Sequence, residues 1–113
     1  MNSYEVLKKN IEFQKVYKNG RSFANKYLVM YVLENGTDIS RIGISVSKKV
    51  GNSIVRHRLT RLIREACRLN QCNIQSGYDI VIISRATHKG KGYEETKSAL
   101  IHLLKLTSIY KEA

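Results

Sequence analysis

KKVGNSIVRHRLTRLIREACR, residues Lys48–Arg68, sets two lysines and five arginines against a single acid, Glu65. Wound at about 100° per residue, Val55, Leu59, Leu62, Ile63, Ala66 and Leu69 fall on one arc roughly 120° wide. Arg56, His57, Thr60, Arg61, Arg64 and Arg68 fan across the opposite side. The pattern has a helical period and separates a core-facing stripe from a guanidinium-rich face. Gly51-Asn52 fits a turn and N-cap, so the helix is expected from about Asn52 to Leu69, with Ile54 alone on its basic side.

The choice of arginine over lysine inside this helix is chemical. A guanidinium forks onto phosphate oxygens and stacks on bases, whereas an ammonium acts as a point charge. A merely solvated helix interleaves both signs, and this one does not. The face therefore reads as a contact surface for a polyanion.

Upstream of the helix, Arg41–Ser47 reads as a strand with Ile42, Ile44 and Val46 on one face and Gly43, Ser45 and Ser47 on the other. A strand face of only Gly and Ser fills no core and leaves room for a close approach to the backbone. Before it, Phe23–Glu34 reads as one long strand with Tyr27, Val29 and Tyr31 on one side and Leu28, Met30 and Val32 on the other. Asn35-Gly36-Thr37-Asp38 between them predicts a hairpin turn. Ile11–Tyr17 predicts a short helix capped by Asn10 and ended by Gly20 in the left-handed conformation. Phe13 and Tyr17, four residues apart, share one face of it. Met1–Asn10 reads as polar and frayed at its start.

Downstream, Asn70–Gly77 is a polar connection and Tyr78–Ser84 is apolar on both faces, as a covered central strand is. Arg85–Gly92 reads as a mobile basic loop. Tyr93–Tyr110 predicts a closing helix with Ala99, Leu100, Leu103, Leu104 and Leu106 as its buried stripe, and Glu94 and Glu95 suit its dipole. The expected order is α-β-β-α-β-α: an α/β (α+β sandwich) chain with a central mixed sheet packed by helices. Its 113 residues predict one domain, 1–113.

The formal net charge is +11 in a chain that is still 42% hydrophobic, which describes a folded basic domain and not a disordered tail. The longest apolar runs are too short to span a bilayer and no segment resembles a signal peptide, so the chain reads as cytoplasmic. Cys67 and Cys72 have no second paired-ligand spacing with His57 or His88 and read as ordinary thiols in a reducing compartment, with no zinc. No two acids form a convincing catalytic pair, and neither a nucleophile motif nor a glycine-rich phosphate loop is present. The chain reads as having no active site of its own. His57, among arginines, fits an RNA-contacting or exposed side chain better than a general base. If the first helix crosses the sheet near Tyr31, then Phe13, Tyr17 and Tyr31 line a cleft floored by the Gly/Ser strand and suited to unstacked bases.

The run Lys48–Glu65 resembles the bacterial ribonuclease P protein family, whose helix has the form KK-x-G-N-A-V-x-R-N-R-x-K-R-x-x-R. Gly43–Ser47 resembles the family's G-x-S-V-S strand, Leu7–Gly20 its early L-K-K-x-x-x-F-x-x-V-[FY]-x-x-G segment, and Tyr78–Val81 its late Y-D-[IV]-V strand. The likeness runs from about Leu7 to Tyr110. It departs at His57, where the family carries asparagine, at Thr60, where it carries lysine, and at the N-terminus, which lacks the family's basic cluster.

The resemblance implies a subunit that assists a catalytic RNA in cutting the 5′ leader from precursor tRNA, with magnesium used by that RNA and not held by a protein motif. It implies that Phe13, Tyr17 and Tyr31, with Lys48 and Asn52, take the leader. It further implies that Lys49, Arg56, His57, Arg58, Arg61, Arg64 and Arg68 meet the catalytic RNA, with Arg56 also at the edge of the leader cleft. It implies a left-handed βαβ crossover, where general connection rules predict the opposite hand. An oligomeric holoenzyme is compatible with it. Two alternatives start from the same charge pattern. One is a non-catalytic RNA- or DNA-binding module, ribosome-associated or regulatory, of which a helix-turn-helix protein would need a helix a short turn before the basic one, where a strand is expected. A membrane-surface helix needs aromatic anchors that the apolar stripe lacks.

Overall fold

A computed structural model describes residues 3–113. The elements in chain order are β1 (Tyr4–Val6), α1 (Asn10–Asn19), β2 (Arg21–Ala24), β3 (Leu28–Glu34), β4 (Ser40–Ser45), α2 (Ser53–Leu69), β5 (Tyr78–Ser84) and α3 (Tyr93–Leu106). The apolar run of β5 is the middle of a five-stranded mixed sheet ordered β1-β4-β5-β3-β2. It pairs in parallel with β4 and antiparallel with β3. Central placement accounts for its lack of alternation, since both of its faces are covered over Asp79–Ile82.

The Asn35-Gly36 turn has the expected chemistry, with Gly36 at φ +71°. It does not make a hairpin. β5 lies between β3 and β4, and the turn crosses its entrance, where the Asn35 N–H donates to Gly77 O at 3.0 Å. The Phe23–Glu34 stretch is likewise two strands. Asn25 turns the chain, its Oδ1 accepting from the N–H groups of Tyr27 (3.2 Å) and Leu28 (3.0 Å), so that β2 folds back onto β3. The polar N-terminal segment contains β1, which pairs in parallel with β4 at the sheet edge.

Alternation along β3 sends Leu28, Met30 and Val32 into the core, where the register sets them beside Ile80 and Ile82. Leu59, Ile63, Ala66 and Cys67 of α2 and Ala99, Leu100, Leu103 and Leu104 of α3 close that face. The wheel misplaces three side chains. Leu69 is 53% exposed, Leu106 is exposed, and Cys67 is buried in their stead. α3 also ends earlier than the pattern suggests. Thr107 Oγ1 donates back to Leu103 O (2.8 Å), Ser108 takes φ +64°, and Tyr110 leaves the helix to bridge Ile74.

The basic loop after β5 is anchored. His88 is fully buried, with Nδ1 2.9 Å from Ser84 Oγ and Nε2 2.7 Å from Thr96 Oγ1. Because the Thr96 hydroxyl proton goes to Gly92 O (2.8 Å), Nε2–H must donate to Thr96, which leaves Nδ1 to accept from Ser84. Burial and the charge of Arg58 hold this histidine below its ordinary pKa, against the weaker upward pull of Glu95.

Candidate nucleic-acid interface

α1 lies on the other face of the sheet. Its first residue is Asn10, and the cap position belongs to Lys9, whose N–H donates to Glu12 Oε1 at 3.3 Å. Gly20 closes the helix at φ −84°, so space and not left-handed freedom demands glycine there. A Cβ would stand 2.6 Å from Val16 O and 2.7 Å from Val32 O. Val16 is completely buried against the sheet.

Arg41 fixes the helix over the strands. Its Nε and Nη2 fork onto Asp79 at 2.8 and 2.6 Å while Nη1 pairs with Glu12. Burial pushes the Asp79 carboxyl upward, but the hydrogen bonds from Arg41 and Asn35 and the Arg41 charge outweigh it, and the net shift is downward. The acids of this face are thereby held in ion pairs.

With α1 so placed, Phe13, Tyr17 and Tyr31 form a continuous aromatic line. The Phe13 and Tyr17 rings lie 6.4 Å apart at 60°, and Tyr17 meets Tyr31 edge-on at 5.1 Å and 75°. The register sets Tyr31, Val81 and Gly43 in one row across three strands, with Val29, Ile83 and Ser45 as the next row. Gly43 is buried beneath Phe13, whereas Val29, Ile83 and Ser45 remain half-exposed. The Gly/Ser strand face thus has two uses, with Gly43 admitting an aromatic ring of the protein and Ser45 leaving floor open beside Tyr17 and Tyr31. Burial raises the Tyr17 phenol above its ordinary pKa, partly opposed by a hydrogen bond with Ser45. Val29 and Ile83 escaped the sequence reading. Strand alternation places Val29 beside Tyr31, but only the β3–β5 register reveals Ile83.

Chain continuity carries Lys48 and Lys49, both exposed, to within four residues of Ser45. Asn52 caps α2, its Oδ1 accepting from the Val55 N–H at 3.0 Å, so only its amide N–H groups are free for a ligand. Arg58, Arg61, Arg64 and Arg68 are exposed on α2, as is His57. Arg68 is committed to Glu65 one turn earlier. Among the described residues Arg56, Arg58, Arg61 and Arg64 have no carboxylate partner within salt-bridge distance. Arg56 is half-buried, with a buried Nε that has no hydrogen-bond partner. Thr60 donates its hydroxyl to Arg56 O at 2.8 Å, so it serves the helix locally. The arginines do not converge on one point. Arg64 borders the Tyr4–Cys67 side, while Arg58, Arg61, His57, Ile54 and Leu62 line a groove of about 430 Å³ on the outer flank.

An aromatic line over a half-open floor and a separate row of unpaired guanidinium groups fit bases and phosphates respectively. Among the described residues no cluster of three or more His, Cys, Asp or Glu could hold a metal, Cys67 is buried, Cys72 is exposed, and no helix is long and apolar enough to cross a membrane.

The sequence matches the model of the family described as Ribonuclease P over residues 1–108. The chain belongs to the ribonuclease P protein family. It is 64% identical over 105 residues to the ribonuclease P protein component of Lachnoclostridium phytofermentans, covering 93% of this chain and 90% of that protein. It is 52% identical over 109 residues to that of Clostridioides difficile, with 96% of each covered. Among solved structures, the ribonuclease P protein of Staphylococcus aureus superposes with a TM-score of 0.85 at 37% identity, over 94% of this chain and 97% of that one. That of Thermotoga maritima gives 0.82 at 35% identity, over 90% and 96%. The family's mixed sheet with its three helices is the fold found here.

Proposed function

We propose that this ribonuclease P protein holds a precursor tRNA by its 5′ leader while α2 grips the catalytic RNA that cuts it. The observation that carries the reading is the aromatic line from Phe13 through Tyr17 to Tyr31 beside the half-open Val29–Ile83–Ser45 row. Unpaired leader bases stack there, contributing roughly 1–3 kcal/mol each. Lys48 and the Asn52 amide take the phosphates at the mouth. Lys49, Arg56, His57, Arg58, Arg61, Arg64 and Arg68 face the catalytic RNA and read structured RNA through phosphates and shape, with Arg56 nearest the leader. Magnesium belongs to the RNA, which performs the hydrolysis. The protein places the leader and neutralises phosphate charge, so less metal is required. The work is cytoplasmic, and the holoenzyme is open to higher-order assembly.

The test is reconstitution with a bacterial ribonuclease P RNA and a precursor tRNA at low magnesium. Leader release should depend on the protein, and Tyr31→Ala should weaken substrate affinity. Arg61→Ala should instead weaken assembly with the RNA. Tight RNA binding without stimulation by any ribonuclease P RNA would overturn the proposal and leave a general RNA-binding module.

A further inference from the structure

Tyr27 lies outside both surfaces described so far. The turn after β2 places it against the buried His88 at 6.3 Å between ring centroids. Lys26 Nζ stands 5.5 Å from the Tyr27 ring centroid and Lys91 Nζ 5.7 Å, from opposite ends of the sequence. Neither ammonium has a carboxylate within salt-bridge distance among the described residues. Two like charges drawn to one ring repel each other, and a bridging anion relieves that repulsion. The patch is also rigid. The Arg85 N–H donates to Tyr27 O at 2.9 Å, Arg85 Nη1 to Asn25 O at 2.6 Å, and the Thr87 hydroxyl to Lys26 O. The turn and the loop after β5 are thereby tied together before any ligand arrives, which lowers the ordering cost of binding.

Beside the ring is an open cavity of about 690 Å³, bounded by Lys26 and Tyr27 on one side and by Glu94, Ser98 and His102 of α3 on the other. Such a volume is in the range of small-ligand sites. The distribution of charge across it is uneven. The Lys26 ammonium stands at the Tyr27 end, with Lys91 beside the ring and outside the cavity wall, while the carboxylates of Glu94 and Glu95 lie at the α3 end. Glu95 caps the helix through the Gly92 N–H at 3.2 Å, whereas Glu94 makes no such bond and is exposed. A phosphate is welcome at the first end and repelled at the second. A base bearing an exocyclic amino group suits the second, because a carboxylate accepts from that donor.

We propose that Tyr27, Lys26, Lys91 and Glu94 form a third RNA-contacting site, which takes one unpaired amino-bearing nucleotide. Its base stacks on Tyr27 with the amino edge toward Glu94, and its phosphate lies between the two ammonium groups. His88, which anchors the loop that carries Lys91, lies beside the Tyr27 ring. The site is independent of the leader cleft, which lies on the opposite face of the sheet.

The sequence has no tryptophan, so Tyr27→Trp places a single indole reporter in the full-length protein. Short oligocytidylate should quench it. The added pair Lys26→Ala and Lys91→Ala should weaken that binding about tenfold and flatten the log K against log salt slope by about 0.7, the single-strand value for the one phosphate they share. Oligouridylate should bind several-fold less tightly, and Glu94→Gln should narrow that difference. Absent quenching, or quenching indifferent to both lysines, would overturn the site. Equal binding of the two oligomers would overturn the base preference. Tyr27→Leu, with the lysines kept, guards against misfolding of the reporter variant. It retains the apolar packing and should lose cross-linking of oligocytidylate to the loop after β5, and retained cross-linking would overturn the stacking role.

Discussion

Phe13 occupies the volume that a side chain at Gly43 would need. A Cβ at position 43 would stand 2.4 Å from Phe13 Cζ, 2.8 Å from Cε2 and 3.1 Å from Leu7 Cβ. The helix and the strand therefore share one packing solution. Gly43→Ala should destabilise the fold by about 1–3 kcal/mol, the usual cost of overpacking. In urea titrations the double variant Gly43→Ala/Phe13→Ala should lose less than the sum of the two single losses, since removal of the ring relieves the clash. Strict additivity would mean that the two residues do not share this space.

Asp79 links α1 to the sheet through Arg41. Its side chain is 4% exposed and that of Arg41 is 31% exposed. Asp79→Asn leaves the guanidinium without its fork and should cost about 2–3 kcal/mol, below the usual 3–5 for a fully buried pair because Arg41 reaches solvent. The folded pKa of Asp79 is depressed, so its contribution is complete above the unfolded value of about 3.9 and is lost as pH falls through the folded value. Denaturant midpoints measured from neutral to strongly acidic pH should fall less steeply for Asp79→Asn than for the natural protein.

His88 has the opposite chemistry and the same sign of pH dependence. It is neutral in the fold, with a depressed pKa, whereas the unfolded chain protonates it near about 6.5. The folded state binds fewer protons, so stability is full above that pH and declines as pH falls toward the folded pKa. Thr96→Val strands the Nε2–H donor and should cost about 1–3 kcal/mol at neutral pH. Hydrogen exchange should localise the effect to residues 85–92, the loop that His88 anchors.

The sequence disclosed those parts whose cause is local. The i, i+4 spacing of Phe13 and Tyr17, the alternation through Tyr31, the Asn52 cap and the arginine face of α2 each depend on a few neighbouring residues. What it concealed is long-range. Asn35-Gly36 specifies a tight turn but cannot tell whether the flanking strands pair with each other or admit β5 between them. β1 is three residues long, two of them exposed, so no alternation announces it. His88 reads as one more cation in a basic loop until Ser84 and Thr96 are seen around it. The fork from Arg41 to Asp79 spans 38 residues. The cleft's aromatic wall and the Gly/Ser strand in its floor were thus readable, whereas the share of Ile83 in that floor was not.

The arginines of α2 divide by whether a carboxylate already holds them. Arg61 is exposed and, among the described residues, has no carboxylate within salt-bridge distance, whereas Arg68 is bound to Glu65, whose carboxyl is held below its ordinary pKa first by the Arg68 hydrogen bond and then by its charge. An unpaired guanidinium on phosphate releases a counterion, and its removal should flatten the log K against log salt slope by about 0.9 for a duplex-like contact. Arg61→Ala should show that change in titrations with ribonuclease P RNA. Arg68→Ala should show less, because RNA must first displace Glu65 from it. Glu65→Gln therefore carries the decisive sign. If Arg68 takes part only after leaving Glu65, neutralising the acid should tighten RNA binding and steepen the slope. If Arg68 merely caps its own helix face, the same substitution should leave the slope unchanged.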